Sequence, residues 1–212
     1  MNYNKRANHG VFKVCGWIGL LGCIAAIVTD IVGIIVVETH NPISDTISSL
    51  AITRHAWIQD SGIVMFAFGM IAYAIALSRY PISQTRWKLG TVSLFLLGID
   101  IVLIAIHNKY AGREGVGASI HLQCVVVMGI LFALATALLA SGFKKIGRNW
   151  YRYTILTTGF WVVLAPIFFI MPTAVDGGYE RLVAMIMVSW IAAVSLFLSS
   201  FNQENYPQSD KY

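Results

Sequence analysis

Charge is what this chain has least of. Asp, Glu, Lys and Arg make up 12% of its 212 residues, about half the share of a soluble domain. With so few charges and a mean hydropathy of +0.70, the chain cannot cover a water-facing globule. Cysteine is scarce too. Cys15, Cys23 and Cys124 are too few and too scattered for a disulfide framework, and they read as small buried thiols. There is no glycine-rich phosphate loop, no H-x-x-x-H or H-E-x-x-H, and no Cys/His cluster, so a compact zinc or phosphate centre lacks its signature. A basic domain is also missing. The net charge of +5 is scattered through loops, which speaks against a nucleic-acid partner.

What is present is apolar sequence in long blocks. Six runs, near residues 15–37, 56–79, 88–106, 119–143, 151–172 and 180–201, each approach the roughly 20 residues that span a bilayer core. They predict an all-α, polytopic bundle of six transmembrane helices, with the lipid bilayer as its principal partner. Residues 1–201 form one domain and 202–212 a polar, disordered tail. Eleven of the 15 Lys and Arg fall in the N-terminal arm, the second and fourth loops and the tail. Loops rich in Lys and Arg stay in the cytoplasm, so both termini are expected there, and the first, third and fifth loops outside. In a bacterium this means the cytoplasmic membrane. The first run is too long for a signal peptide, and Glu38–Pro42 offers no small-x-small cleavage site, so it reads as an uncleaved helix.

Within the runs, Gly16, Gly19 and Gly22 predict close approach of a neighbour to the first helix, and Ala72 and Ala76 do the same on the second. Trp17, Trp57, Trp87, Trp150, Tyr80 and Tyr151 sit near helix ends, as an interfacial aromatic belt requires. Pro166 predicts a kink in the fifth helix.

The ionisable residues gather toward the outer side. Asp30, Asp60 and Asp100 lie in the outer parts of the first three helices; His107 follows Asp100 on one face, His121 opens the fourth helix, and Glu180 and Arg181 open the sixth. Charge at membrane depth is expensive and marks either a site or a paired network. The first outer loop, Glu38 to Ala51, is the most patterned stretch. Asn41-Pro42 makes a helix start, and Ile43, Ile47, Leu50 and Ala51 fall on one face, with Ser44, Asp45, Ser48 and Ser49 on the other. A short amphipathic helix is expected there, as a plug or as a lid over a pocket. His107 and His121 are the candidate metal ligands, though no spacing supports a metal.

Three segments resemble a family of bacterial and archaeal multi-pass proteins, domain of unknown function 998. They are Asn41-Pro42-Ile43-Ser44-Asp45-Thr46-Ile47-Ser48-Ser49-Leu50, His121 after an outer loop, and Gly178-Tyr179-Glu180-Arg181 with Trp190 nine residues on. The order and topological positions agree across nearly the whole chain. Where the family often has proline and aspartate before the histidine, this chain has His107-Asn108-Lys109 and glycines. The resemblance implies a six-helix membrane protein without an assigned activity or cofactor. It singles out Ser44, Asp45, Ser48, His121, Glu180 and Arg181 among the outer polar groups.

Several functions are compatible with this pattern. One is an outward-facing polar pocket for a lipid headgroup or small polar ligand, built from Ser44, Asp45, Ser48, Asp30, Asp60, Asp100, His107, His121, Glu180 and Arg181. Another is an intramembrane, metal-dependent lipid hydrolase. A small transporter or a structural protein completes the set, and no cofactor follows from the residues.

Overall fold

The structure, a computed structural model, describes residues 2–201, with side chains described from residue 10 onward. The expected tail of residues 202–212 lies outside the described residues. The elements are α1 (Asn2–Val36), α2 (Ile47–Leu50), α3 (Ala56–Ser78), α4 (Thr85–His107), α5 (Val116–Ile146), α6 (Arg148–Ile167) and α7 (Asp176–Ser199). Single 3-10 turns follow α4 (Asn108–Tyr110) and α6 (Phe168–Ile170), and there are no strands among the described residues. All helices except α2 are long and apolar enough to cross a membrane. The protein is an integral membrane protein. The end of the bundle carrying the first, third and fifth loops is called the distal end below.

These helices are apolar all round because both faces meet apolar surroundings. In α4, Leu89, Val92, Leu96, Ile99, Leu103 and Ile106 are exposed at helical spacing, while Trp87, Leu94, Leu97 and Ile101 are buried on the opposite face. α1 packs on α3 and α7, then α3 on α4, α4 on α5 and α5 on α6. The ring closes at α6 and α7, the most loosely packed of these seams.

The α1 glycines act as their spacing predicts. A Cβ on Gly16 would meet Ser199 N of α7 at 2.5 Å, and one on Gly22 would meet Met65 O of α3 at 2.8 Å. Helix backbones meet there without side chains between them.

Three sequence expectations change. Trp17 and Trp57 are exposed, at 55% and 70%, as belt residues should be. Trp87 and Tyr80 are instead buried in an aromatic cluster at the end near the termini. Trp87 stands edge-on to Phe143, Tyr80 packs on Phe12, Trp87 and Phe201, and the Trp87 indole N–H donates to Leu77 O at 2.9 Å. The partners come from α1, α5 and the chain just after α7, so packing between distant segments draws these aromatics inward. Next, Pro166 lies in the last turn of α6, which passes into the 3-10 turn at Phe168. It marks the end of the helix rather than a kink within it.

The third change is in the first loop. The amphipathic helix expected from Pro42 is only the single turn α2. Residues 41–45 form a turn in which Asn41 Oδ1 accepts from Ile43 N–H (3.0 Å) and Asp45 Oδ2 accepts from Asn41 N–H (2.8 Å). Short polar side chains compete with the helix for backbone groups, and here they win. Leu50 and Ala51 are buried while Ile43 is 58% exposed, so the expected apolar face is split.

Candidate functional site

Arg181, in the second turn of α7, organises one side of the distal end. Its Nε–H and Nη2–H donate to the two carboxylate oxygens of Asp30 on α1, both at 3.0 Å. Nη1 donates to Pro42 O and Asp45 O at 2.9 Å and to Gly177 O at 3.1 Å. Nη2 also reaches His40 Nε2 at 3.1 Å. A guanidinium has five N–H groups and no acceptor, so every donor is spent. His40 Nε2 must accept, which fixes its proton on Nδ1, facing Ser49 Oγ (3.4 Å) and Asp45 Oδ2 (3.8 Å). Burial, and then the Arg181 charge beside it, hold the His40 imidazole below its ordinary pKa.

The backbone seals the same contact. Gly178 N–H donates to Ile43 O at 2.8 Å. A Cβ on Gly177 would sit 2.0 Å from Asp45 O, so only glycine lets the loop approach this closely. Glu180 Oε2 accepts from Ile47 N–H at 2.5 Å and thereby caps the first turn of α2. Loop 1 and the start of α7 form one latch, and Asp30 ties it to α1. Ser44 Oγ turns to its neighbour Asp45 (3.4 Å), and Ser48 Oγ pairs with Thr46 Oγ1 (3.2 Å).

The other side of the distal end is built differently. Asn108, 1% exposed, donates from Nδ2 to Asp60 Oδ1 at 3.1 Å. That bond fixes the amide orientation and leaves Asn108 Oδ1 without a partner. Gln59 Oε1 and His121 Nδ1 are also buried with no partner. Gln59 opens α3, Asn108 ends α4 and His121 lies in the second turn of α5, so three elements bring them to one corner.

Both sides border one cavity of about 720 Å³. Its distal end is lined by Asp30, Ser48, Gln59, Asn108, His121, Glu180 and Arg181. Its body is apolar, between α1, α5, α6 and α7, with Met128, Gly129, Trp161, Pro166, Met187 and Val188 on its walls. From His121 to Ala133, both lining residues of α5, the cavity runs about 18 Å along the helix. Trp161 is anchored by its indole N–H to Gly129 O at 2.9 Å and edge-on against Phe132. The volume and the mostly apolar lining suit a small-molecule site.

The ten candidate residues thus divide. Asp30, Ser48, His121, Glu180 and Arg181 line the cavity; Ser44, Asp45, Asp60, Asp100 and His107 do not. Asp100 lies beside Cys124 of α5 and keeps its Oδ2 buried without a partner, away from the cavity. His107 Nδ1 faces Leu103 O at 2.9 Å and so donates within its own helix. Among the described residues, no three His, Cys, Asp or Glu side chains gather as a metal would need. Sequence reasoning missed Gln59 and Asn108 as site residues. Their only signal was an amide placed where a membrane helix begins or ends.

No curated protein and no solved structure matches this chain. A family model matches residues 20–196, from α1 to the last turns of α7 and through both halves of the latch. The chain belongs to that family, the proteins of unknown function DUF998.

Proposed function

We propose that the protein binds an amphiphile drawn from the bilayer, with its polar end at the distal corner and its chain between α1, α5, α6 and α7. The observation that carries this reading is the polarity of the cavity: polar groups at one end, and an apolar body of about 720 Å³ in all lying at membrane depth. An apolar cavity this large would cost packing energy if it stayed empty. Several rim residues, among them Ile31, Ile130, Val162 and Met185, are also 48–55% exposed, so a chain has a lateral way in. Arg181 and Asp30 serve this site by holding its roof in place, not by gripping the ligand.

The test uses Gly129, which lines the cavity and where a Cβ would meet nothing within 4 Å. A leucine there fills the cavity and favours the helix by up to about 1 kcal/mol. Native mass spectrometry of protein purified in mild detergent is expected to find a bound amphiphile on the parent chain. The Gly129→Leu variant should keep the fold and lose the adduct. An adduct held equally by both proteins would remove this reading.

A further inference from the structure

The polar end of the cavity carries two carboxylates and no uncommitted cation among the described residues, and that restricts the head group. Among the described residues that line the cavity, Arg181 is the only Lys or Arg, and its donors are all engaged. Beside it stand the carboxylates of Asp30 and Glu180, the unpartnered oxygens of Gln59 and Asn108, and His121 Nδ1, together with the Gln59 amide N–H and the Ser48 hydroxyl, which can donate. The His121 imidazole accepts at Nδ1 when its proton is on Nε2. Gln59, Asn108 and His121 are each more than nine-tenths buried, and native proteins rarely leave such atoms unpaired. A head that donates hydrogen bonds would pair them. A phosphate or carboxylate head would bring a second set of acceptors and negative charge against Glu180 and Asp30, with no free cation to meet it.

We infer that the occupant of this site is an amphiphile with a hydrogen-bond-donating head of no net negative charge, an amine or a hydroxyl, seated against Gln59, Asn108 and His121. The inference rests on the amphiphile-binding reading and names the chemistry of its ligand.

Three probes with one chain and different heads test it: dodecylamine, dodecanol and dodecyl phosphate. Their binding to delipidated, detergent-purified protein is measured by native mass spectrometry and by displacement of a fluorescent alkyl probe. The amine and the alcohol are expected to bind at least about tenfold more tightly than the phosphate, a difference of about 1.4 kcal/mol. The isosteric variants Gln59→Met and His121→Phe should erase that preference while leaving the residual affinity of the alkyl chain. Equal or tighter binding of the phosphate overturns the head-group inference but leaves the amphiphile reading standing. If none of the three binds, and Gly129→Leu changes nothing, both readings fall. If Gln59→Met and His121→Phe bind the amine and the alcohol as the parent does, the accepting corner is not the head-group site.

Discussion

The two sides of the distal end hold similar residues in opposite states. On the α7 side, the five Arg181 donors meet six acceptors from α1, loop 1 and α7 itself. On the α3–α5 side, Gln59, Asn108 and His121 each keep a buried atom with no partner. Both sides lie at the same level of the bundle and face the same cavity. A charge buried in a membrane protein is retained either because the fold needs it paired or because something else will pair it. Buried unpartnered atoms also occur at Tyr73, Asp100, Asp176 and Ser195, away from the cavity; among the described residues lining it they belong to Gln59, Asn108 and His121. The latch is therefore structure, and on the reading proposed above the opposite corner is the surface offered to a ligand. The most conspicuous charged residue at the site, Arg181, is on the structural side.

This difference can be broken by mutation, and the largest effect belongs to Arg181→Gln. It leaves Asp30 unpaired at 17% side-chain exposure and frees three loop and helix carbonyls. A loss near the lower end of the ~3–5 kcal/mol typical of a broken buried pair is expected. It would appear as poor accumulation or a strongly lowered melting temperature in detergent. Arg181→Lys should not rescue it, because an ammonium cannot fork across a carboxylate while also reaching the loop carbonyls. A melt unchanged from the parent would show that the latch carries no weight.

Gly177→Ala comes next. Its Cβ would overlap Asp45 O, so the loop must lift from α7 at a cost of about 1–3 kcal/mol. Accelerated proteolysis of loop 1 in this variant would register the lifting, and an unaltered digest would contradict it.

A smaller effect follows from His40. Its pKa is lowered in the folded protein, so the unfolded chain binds the proton more readily. The stability linked to His40 is complete above its ordinary value near 6.5 and is lost as pH falls through the lowered value. The neutral ring accepts from Arg181; the protonated ring would set two cations face to face. Melting temperature should drop below pH 6.5 in the parent, and less steeply in His40→Gln. Parallel pH profiles for the two proteins would assign the drop to other groups.

The sequence carried the six helices because apolar length is set by the bilayer, and the α1 glycines because small residues at helical spacing have one main use in lipid. It also carried both halves of the latch as motifs, Asn41–Leu50 and Gly178–Arg181, but not the fact that they touch. That contact depends on helices 1 and 7 being neighbours, and chain order does not state this. The residues of the open corner were harder to see. Gln59 and Asn108 are uncharged, and an amide at a helix end is ordinary in any protein. Their meaning comes from burial without a partner, which is a property of packing. The burial of Trp87 and Tyr80 was hidden for the same reason. In an apolar helix, sequence does not distinguish the face that meets lipid from the face that meets protein.

The most direct test of the contrast is the melting temperature of delipidated Gln59→Met/His121→Phe beside the delipidated parent. Replacing buried, unpaired polar atoms by apolar groups of similar shape is neutral or stabilising. The double variant should melt at or above the temperature of the parent. A fall of several degrees, approaching that of Arg181→Gln, would mean that these side chains hold the bundle together and that both sides of the distal end are structure.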